Sequence, residues 1–381
     1  MLVGSPFALV GDKISLYLQV AGVPLYSFGW VASRLIFKNQ IHYIRRFFMA
    51  EYDVVGIGNA LVDVIAHCED DFLAHHALDK GAMILVDEER SAYLYDMLDP
   101  AAECSGGSCG NTMAGLASMG GSEGAVATAY IGKVCDDQLG RVFQRSMRGM
   151  GVVFDTTPES DRPSTGRCLV LISPDAQRTM CTFLGAATKL GPTDIDPKVI
   201  QAAKVTYMEG YLFDPPDAQL AFVKAAELAH AAGRKVAITL SDSFCVDRHR
   251  AAFRLLVENH IDILFANEAE VISLYEAQSF DAALEQVRGH CETACLTRGE
   301  NGSVVLGGGE IRIIDAEPVA SVVDTTGAGD QYAAGFLYGY SRGMPFAACG
   351  KIASIAAAEV IGHQGARPET TLSALIGKIV G

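Results

Sequence analysis

The chain contains the stretch Val322-Val323-Asp324-Thr325-Thr326-Gly327-Ala328-Gly329-Asp330, which runs into an apolar, helix-forming segment at 331–339. This pattern predicts a strand that enters a turn of small residues and continues directly into a helix. Small residues let a ligand approach the backbone closely, and the N-terminus of a helix adds a positive dipole. We therefore expect the backbone amides of Gly327, Ala328 and Gly329 to bind an anion.

Asp330 falls in the first turn of this predicted helix, beside the expected anion site. A carboxylate at such a position can take the proton of a hydroxyl group while that hydroxyl attacks a phosphorus atom. An acidic residue in a first turn also occurs for its favourable interaction with the helix dipole alone. The full string at a predicted strand-to-helix junction favours the catalytic role, so we predict that Asp330 is a general base.

Two other nucleotide-binding patterns are not met. The chain has no Gly-x-x-x-x-Gly-Lys-Ser/Thr loop, which argues against a Walker-type NTPase. Gly56-Ile57-Gly58 begins like a dinucleotide fingerprint, but Leu61 replaces its third glycine. An NAD-dependent dehydrogenase is therefore disfavoured.

From Tyr52 onward, strand-like apolar runs alternate with amphipathic, helix-like runs. The strand-like runs are 53–58, 82–86, 125–131, 205–209, 235–240, 261–266 and 294–296, and clear helical patterns occupy 136–150 and 217–232. Strands that are apolar on both faces are typical of a parallel sheet covered by helices. The sequence thus predicts one α/β domain over 50–381, with a doubly wound, mostly parallel sheet flanked by helices.

Two stretches depart from this alternation. Residues 61–68 continue the first strand, and 166–173 with 177–184 form a predicted hairpin. Strands without helices between them do not easily join a parallel sheet. We therefore predict a small β-sheet lid, built from about 61–105 and 160–186.

Polar candidates for substrate binding follow the first strand. Asn59 and Asp63 can bond neighbouring hydroxyl groups of a ribose through their amide and carboxylate. Downstream, a second set of candidates opens a helix of small residues: Gly106, Gly107, Ser108 and Asn111. The structural alternatives are an Asx turn at Asn59 and a helix cap by Ser108.

These motifs resemble those of the PfkB, or ribokinase-like, kinase family over about residues 50–375. The string that ends at Asp330 is similar to the family's C-terminal signature, whose last Asp is the catalytic base. Asp63 and the Gly-Gly…Asn segment match the family's substrate-binding positions. Within the family, Gly107-Ser108-Cys109-Gly110-Asn111 and Gly58-Asn59-Ala60-Leu61-Val62-Asp63 are most similar to bacterial adenosine kinases.

The resemblance implies a ribokinase-like fold and an ATP-dependent phosphorylation of the 5′-hydroxyl of adenosine, a step of purine nucleoside salvage. Gly362-His363-Gln364-Gly365 departs from the eukaryotic adenosine kinase pattern. A sugar kinase of the ribokinase or fructokinase type, or a kinase for another nucleoside, therefore remains the alternative. Retention of Asp330 and of the glycine turn argues against a non-catalytic binding relative.

The resemblance also assigns residues to ATP and its metal ion. Asn267 and Glu270 match an Asn-x-x-Glu motif that organises Mg²⁺ through water, although first-turn acids also suit a helix dipole. Thr297, Gly299 and Gly302 match a nucleotide-binding turn. Arg178 is expected to reach the phosphates when the lid closes, or else to be a solvated hairpin charge. ATP and Mg²⁺ are the implied cofactors, and a monovalent cation is compatible with them.

Composition excludes some partners. A net charge of −15 over 381 residues disfavours nucleic acid and anionic membranes, which leaves a small-molecule nucleoside or sugar as the expected partner. The ten cysteines include no Cys-x-x-Cys pair, which indicates reduced thiols and a cytoplasmic protein. The oligomeric state is left open by the sequence.

Residues 1–49 differ from the rest of the chain. They contain one acidic residue, Asp12, and five basic ones, and the uncharged stretch 14–33 is interrupted by Gly22, Pro24 and Gly29. A secretory signal would place its positive residues before the apolar run. We expect residues 1–49 to be an N-terminal extension outside the fold.

Overall fold

Thirteen strands are present in the part of the chain that the computed structural model describes, residues 50–120 and 125–380. They are β1 Tyr52–Ile57, β2 Leu61–His67, β3 Met83–Leu85, β4 Ala102–Ser105, β5 Thr128–Ile131, β6 Thr165–Ile172, β7 Arg178–Gly185, β8 Ala203–Glu209, β9 Lys235–Thr239, β10 Ile263–Asn267, β11 Thr293–Thr297, β12 Ser303–Gly307 and β13 Glu310–Ile314.

The α-helices of the same residues lie mostly between these strands. They are α1 Asp70–His75, α2 Glu88–Asp96, α3 Ser108–Ser118, α4 Gln138–Gly149, α5 Pro197–Gln201, α6 Pro216–Ala231, α7 Ser243–His260, α8 Glu268–Tyr275, α9 Phe280–His290, α10 Ala328–Ser341, α11 Phe346–Ile361 and α12 Leu372–Val380.

Local sequence signals set several of the helix boundaries. The Asp137 carboxylate caps α4 by accepting a hydrogen bond from the Gly140 amide at 2.7 Å, and α6 begins at Pro216 and is followed by Gly233 at positive φ.

The larger sheet has eight strands in the order β13-β12-β11-β10-β9-β8-β1-β5. Strands β5, β1, β8, β9, β10 and β11 are parallel, and β12 and β13 add an antiparallel hairpin at one edge. This architecture confirms the predicted doubly wound, mostly parallel α/β fold.

Two details of the larger sheet differ from the prediction. The β12–β13 hairpin was not predicted, and the predicted strand at 322–324 is wrong. Among the described residues that segment pairs with no strand, and the Val323 amide instead donates to the Ile361 carbonyl at the end of α11.

Alternating side chains of the larger sheet enter two separate cores. Val54 packs in the core formed with α3, α4, α10 and α11, whereas Val55 packs in the core formed with α6, α7, α8 and α9. Successive side chains of a strand point to opposite faces, so each central strand must be apolar on both. The helices are thus divided between the two faces of the sheet.

The smaller sheet has five strands in the order β3-β7-β6-β2-β4, and its strands come from 61–105 and 165–185. The sequence suggested that residues 61–68 continue the first strand, but β2 is a separate strand from β1. Residues 58–60 leave the larger sheet, and β2 pairs with β4 and β6. Asp63 therefore lies on the smaller sheet. Whether this sheet moves as a lid remains a prediction.

Other expectations have mixed outcomes. The predicted extension at 1–49 lies outside the described residues. Within 50–120 and 125–380, no helix is both long enough and apolar enough to cross a bilayer. All ten cysteines are free thiols.

Two adjacent leucines of α7 provide a test of the packing. Leu256 is buried and Leu255 is 63% exposed. We predict that Leu256→Ala lowers the free energy of unfolding by about 2–5 kcal/mol, since it leaves a cavity in the core. Leu255→Ala is the matched control and should change it by no more than about 0.5 kcal/mol. Denaturant unfolding measures both, and equal losses would contradict the assignment of faces.

Candidate active site

A cleft of about 1850 Å³ lies at the carboxyl ends of the parallel strands and extends under the smaller sheet. Ligands of open α/β sheets bind at this edge. The structure brings nearly all the predicted site residues together here. The cleft is lined by Asn59, Asp63, Gly107, Ser108, Asn111, Arg178, Asn267, Glu270, Thr297, Gly299, Gly302, Gly327, Ala328, Gly329 and Asp330. The exception is Gly106, which does not line the cleft but lies directly against the Asp63 carboxylate.

Asp330 lies in the first turn of α10, as the sequence predicted, and its carboxylate meets the first turn of α3. The Ser108 hydroxyl donates to Oδ1 of Asp330 at 2.6 Å, and the Asn111 amide donates to Oδ2 at 3.4 Å. Burial raises the pKa of Asp330 to about 6, although both hydrogen bonds act to lower it. The carboxylate is therefore ionised at neutral pH and can accept a proton.

Ser108 does not cap its helix. The N-cap of α3 is Gly107, which has no side chain to cap the helix. The Ser108 hydroxyl donates to Asp330 instead. A cap by Ser108 was the structural alternative of the sequence, and the structure contradicts it.

The glycine turn before α10 is closely packed on one side and open on the other. Gly327 has φ +79°, and a Cβ there would overlap Ala366, whereas a Cβ at Gly329 would meet none of the described residues within 4 Å. Only glycine fits the first position, and the second borders open space in the cleft. The Ala328 amide donates to the Thr325 carbonyl at 3.2 Å. The amides of Gly327 and Gly329 are therefore the better candidates for binding an anion.

Asp63 faces the cleft from β2. Among the described residues, no hydrogen-bond donor contacts its carboxylate. Burial raises the pKa of Asp63 to about 6, while the charges of Arg367 and Arg178 act to lower it. A carboxylate in this position offers free acceptors to a ligand that carries hydroxyl groups.

Glu209 is a buried acid of the site that the sequence analysis missed. It ends β8, and its carboxylate accepts bonds from the Asn59 amide at 2.8 Å and from the Cys109 backbone N–H at 2.9 Å. The side-chain amide of Asn59 is thus held by Glu209 rather than left free. Burial raises the pKa of Glu209 to about 7. The signal in the sequence was an acidic residue at the carboxyl end of an apolar strand.

Asn267 and Glu270 occupy the other end of the cleft as a capping box at the start of α8. The backbone N–H of Glu270 donates to Oδ1 of Asn267 at 2.9 Å, and the backbone N–H of Asn267 donates to Oε2 of Glu270 at 3.0 Å. Burial raises the pKa of Glu270 to about 7, and the nearby charge of Asp242 acts in the same direction. Gly299 and Gly302 have positive φ in the turn after β11.

Arg178 is not a solvated hairpin charge. It lies at the start of β7 and forms an ion pair with Asp324 at 2.6 Å, in which both side chains are largely buried. Asp324 also accepts bonds from the backbone amides of Thr326 and Gly365, at 2.9 and 3.0 Å. The pair therefore joins the smaller sheet to the segment that leads into the glycine turn.

Arg367 and Gln331 also belong to this site and were not predicted. Arg367 lines the cleft and bonds to Asn111, whereas Gln331 is fully buried and bonds to the main-chain carbonyls of Asn111 and Ala366. Arg367 lies in a loop after α11, with no periodic pattern around it that could have marked it as a site residue.

Comparison with known proteins gives a consistent result. The profile of the family described as pfkB family carbohydrate kinase matches residues 100–372. The crystal structure of an adenosine kinase from Sinorhizobium meliloti is 48% identical, with a TM-score of 0.78, and the match covers 86% of this chain and 99% of that one. The structure of a probable sugar kinase from Rhizobium etli is 46% identical, also with a TM-score of 0.78, and the match covers 87% and 99%. An adenosine kinase from Saccharomyces cerevisiae is 28% identical over 311 residues, which are 76% of this chain and 89% of the yeast protein.

The buried carboxylate of Glu209 predicts a specific dependence of stability on pH. Its pKa in the folded state, about 7, lies above the ordinary value of 4.5. The acid therefore costs nothing below pH 4.5, and its cost to the free energy of unfolding grows as the pH rises from 4.5 to 7. We predict that Glu209→Gln gains about 2.5 kcal/mol over the wild type between pH 5 and pH 8, measured by denaturant unfolding.

The matched control is Glu227→Gln, which changes an exposed glutamate of α6. Its free energy of unfolding should stay within about 0.5 kcal/mol of the wild type at both pH values. A Glu209→Gln variant that is destabilised equally at pH 5 and pH 8 would contradict the raised pKa.

Proposed function

The chain belongs to the pfkB family of carbohydrate kinases, and on that premise we propose that it transfers the γ-phosphoryl group of ATP to the 5′-hydroxyl of adenosine. The observation that carries this proposal is the meeting of Asp330 and Asp63 in one cleft, with the glycine turn beside Asp330. One carboxylate fits the role of a base and the other that of a hydroxyl-binding group. The relatives that act on adenosine favour a nucleoside as the acceptor.

In the proposed reaction, Asp330 accepts the proton of the 5′-hydroxyl as its oxygen attacks the phosphorus atom. Ser108 and Asn111 hold the carboxylate by its two oxygens, so that it meets the hydroxyl in a fixed orientation. Desolvation brings the pKa of Asp330 to about 6, nearer to neutrality than an exposed aspartate. This makes it a stronger base that is still ionised at pH 7.

The acceptor is proposed to bind between the two sheets. Asp63 offers its free oxygens to the 2′- and 3′-hydroxyl groups of the ribose, which points the 5′-hydroxyl toward Asp330. The smaller sheet adds an apolar surface that would cover the nucleobase, formed by Leu61, Ile65, Val170, Met180 and Leu184. This apolar surface favours a nucleoside over a free sugar, because the nucleobase adds buried apolar contact.

The donor is proposed to bind along the other end of the cleft. Gly299, Gly302 and Thr297 lie where the backbone can approach the nucleotide, and the amides of Gly327 and Gly329 face the transferred phosphoryl group. When Arg178 leaves Asp324, its guanidinium adds a positive charge at the phosphates. Binding of these phosphates depends on local donors, since the chain as a whole is negative.

The oxygen donors at Asn267 and Glu270 fit a magnesium ion held through water. Their side chains are bonded to each other, and no group of three His, Cys, Asp or Glu residues in the described chain forms a direct metal site. Mg²⁺ bound to phosphate oxygens would neutralise their charge. Asn267, Glu270 and Asp242 would orient its water ligands.

Replacing the proposed base separates binding from chemistry. We predict that Asp330→Asn lowers kcat by roughly 10²-fold or more, because the amide keeps the shape but cannot accept the proton. Nucleoside binding, measured by calorimetry, should largely survive. Asp281→Asn alters another first-turn acid, exposed on α9, and should leave kcat unchanged. Turnover near the wild-type level in Asp330→Asn would remove this residue from the mechanism.

Acceptor selectivity tests the role of Asp63. The wild type should prefer adenosine over 2′-deoxyadenosine by roughly ten- to a hundredfold in kcat/KM, because loss of a hydroxyl leaves a buried carboxylate without a partner, at about 1–3 kcal/mol. Asp63→Ala should lose most of this preference. An unchanged ratio in the variant would contradict the role of Asp63, and faster phosphorylation of ribose or fructose than of adenosine would favour the sugar kinase alternative.

A further inference from the structure

We propose that Arg367 is a positioning residue for the general base. It fixes the side-chain amide of Asn111 so that the NH₂ group of Asn111 faces the carboxylate of Asp330. This inference rests on the proposed function, because it assigns Arg367 a part in the phosphoryl transfer that Asp330 carries out.

The hydrogen bonds run in one direction from Arg367 to Asp330. Nε of Arg367 donates to Oδ1 of Asn111 at 3.1 Å, and Nδ2 of Asn111 donates to Oδ2 of Asp330 at 3.4 Å. A guanidinium group has only donors, and an ionised carboxylate has only acceptors. Of the two orientations of the Asn111 amide, only the observed one satisfies both neighbours.

Arg367 is itself held in place from two sides. Its Nη2 donates to the Ser105 hydroxyl at 2.9 Å, and that hydroxyl contacts the Ser146 hydroxyl of α4 at 2.7 Å. On the other side, Nε2 of Gln331 donates to the main-chain carbonyls of Asn111 and Ala366, at 3.0 and 2.9 Å.

Gln331 follows the base in the sequence, and Ala366 precedes Arg367. The Gln331 side chain therefore joins two backbone segments, one at Asn111 and one beside Arg367. Both segments are thus held against the helix turn that carries the base.

The charge of Arg367 acts in the same direction as its hydrogen bonds. It opposes the rise that burial causes in the pKa of Asp330 and in that of Asp63. Burial in turn lowers the pKa of Arg367 from its ordinary high value, and the two carboxylates act against that shift. The guanidinium thus favours the ionised form of the base.

Other titratable groups face Asp330 from the surrounding elements. They are Asp63 on β2, Cys109 on α3, Tyr207 and Glu209 on β8, and Tyr211 after β8. Burial raises the pKa of the thiol and of both phenols, so these groups stay neutral in the working range. Asp63 and Glu209 titrate in that range, and the variants to be compared must therefore retain both.

The test is the pH profile of kcat at saturating ATP and adenosine for Arg367→Met, Arg367→Lys and the wild type. In Arg367→Met the Asn111 amide is free to turn its oxygen toward Asp330, which favours the protonated acid. The acid limb of the profile should then move up by about one pH unit. On the alkaline plateau, where Asp330 is ionised in every variant, kcat should fall less than tenfold. Arg367→Lys keeps the positive charge and one hydrogen-bond donor. The acid limb of its pH profile should therefore lie between that of the wild type and that of Arg367→Met.

The matched control is Arg145→Met, which alters an exposed arginine of α4 and should leave the limb in place. The inference is overturned if the limb of Arg367→Met coincides with that of the wild type, or if kcat falls by the same factor at every pH. If Arg367→Met does not fold, as judged from its Tm, Arg367→Lys decides: a limb above that of the wild type supports the inference, and an unmoved limb overturns it.

Failure of the proposed function would look different. A wild type that does not phosphorylate adenosine refutes the acceptor assignment, and the same profiles are then recorded with the hydroxyl compound that the enzyme does phosphorylate.

Discussion

The hydrogen bond from Ser108 to Asp330 joins the first turns of two helices that are 222 residues apart in the sequence. The site can form only where these two N-termini meet. Both turns are preceded by a glycine at positive φ: a Cβ at Gly107 would overlap the carbonyl of Asn59, and one at Gly327 would overlap Ala366. Each turn therefore packs closely against a neighbouring segment because the glycine that precedes it has no side chain. The meeting of these two turns brings together Asp330, the substrate turn and the glycine turn.

The same closeness creates an electrostatic problem. Asp63, Glu209 and Asp330 share one cleft, and burial raises the pKa of each carboxyl, to about 6, 7 and 6. Three desolvated like charges would repel one another without donors and cations around them. Backbone and side-chain N–H groups hold Glu209, and Arg178 and Arg367 offset the charge of Asp63. Each acid is thus close to its titration range near neutral pH, which suits proton transfer and is costly to the stability of the fold.

The sequence predicted the fold and most of the cleft because both leave local signals. Strand-like apolar runs that alternate with helix-like runs indicated the parallel sheet. The small residues before Asp330 indicated an anion site at the N-terminus of a helix. The predicted strand at 322–324 was wrong because a short apolar run is typical of a strand whether or not a neighbouring strand pairs with it. Arg367 was missed because its role depends on contacts with Ser105 and Asn111, more than 250 residues earlier in the chain. No periodicity or motif records such a contact.

The chain leaves the larger sheet at residues 58–60 and returns at Gly106-Gly107, and between these two crossings it forms the strand that carries Asp63. Asp330 lies on α10, which packs against the larger sheet. The angle between the two sheets therefore sets the separation of the two carboxylates. In the proposed reaction, a nucleoside spans this separation because its ribose hydroxyls and its 5′-hydroxyl lie at opposite ends of the sugar. Water carries no pair of ring hydroxyls for Asp63 to bind, so it cannot make the contact with the smaller sheet that the proposed acceptor makes. In the proposed reaction, the construction of the cleft from two sheets thus favours an acceptor that carries a sugar over water, and so favours transfer over hydrolysis of ATP.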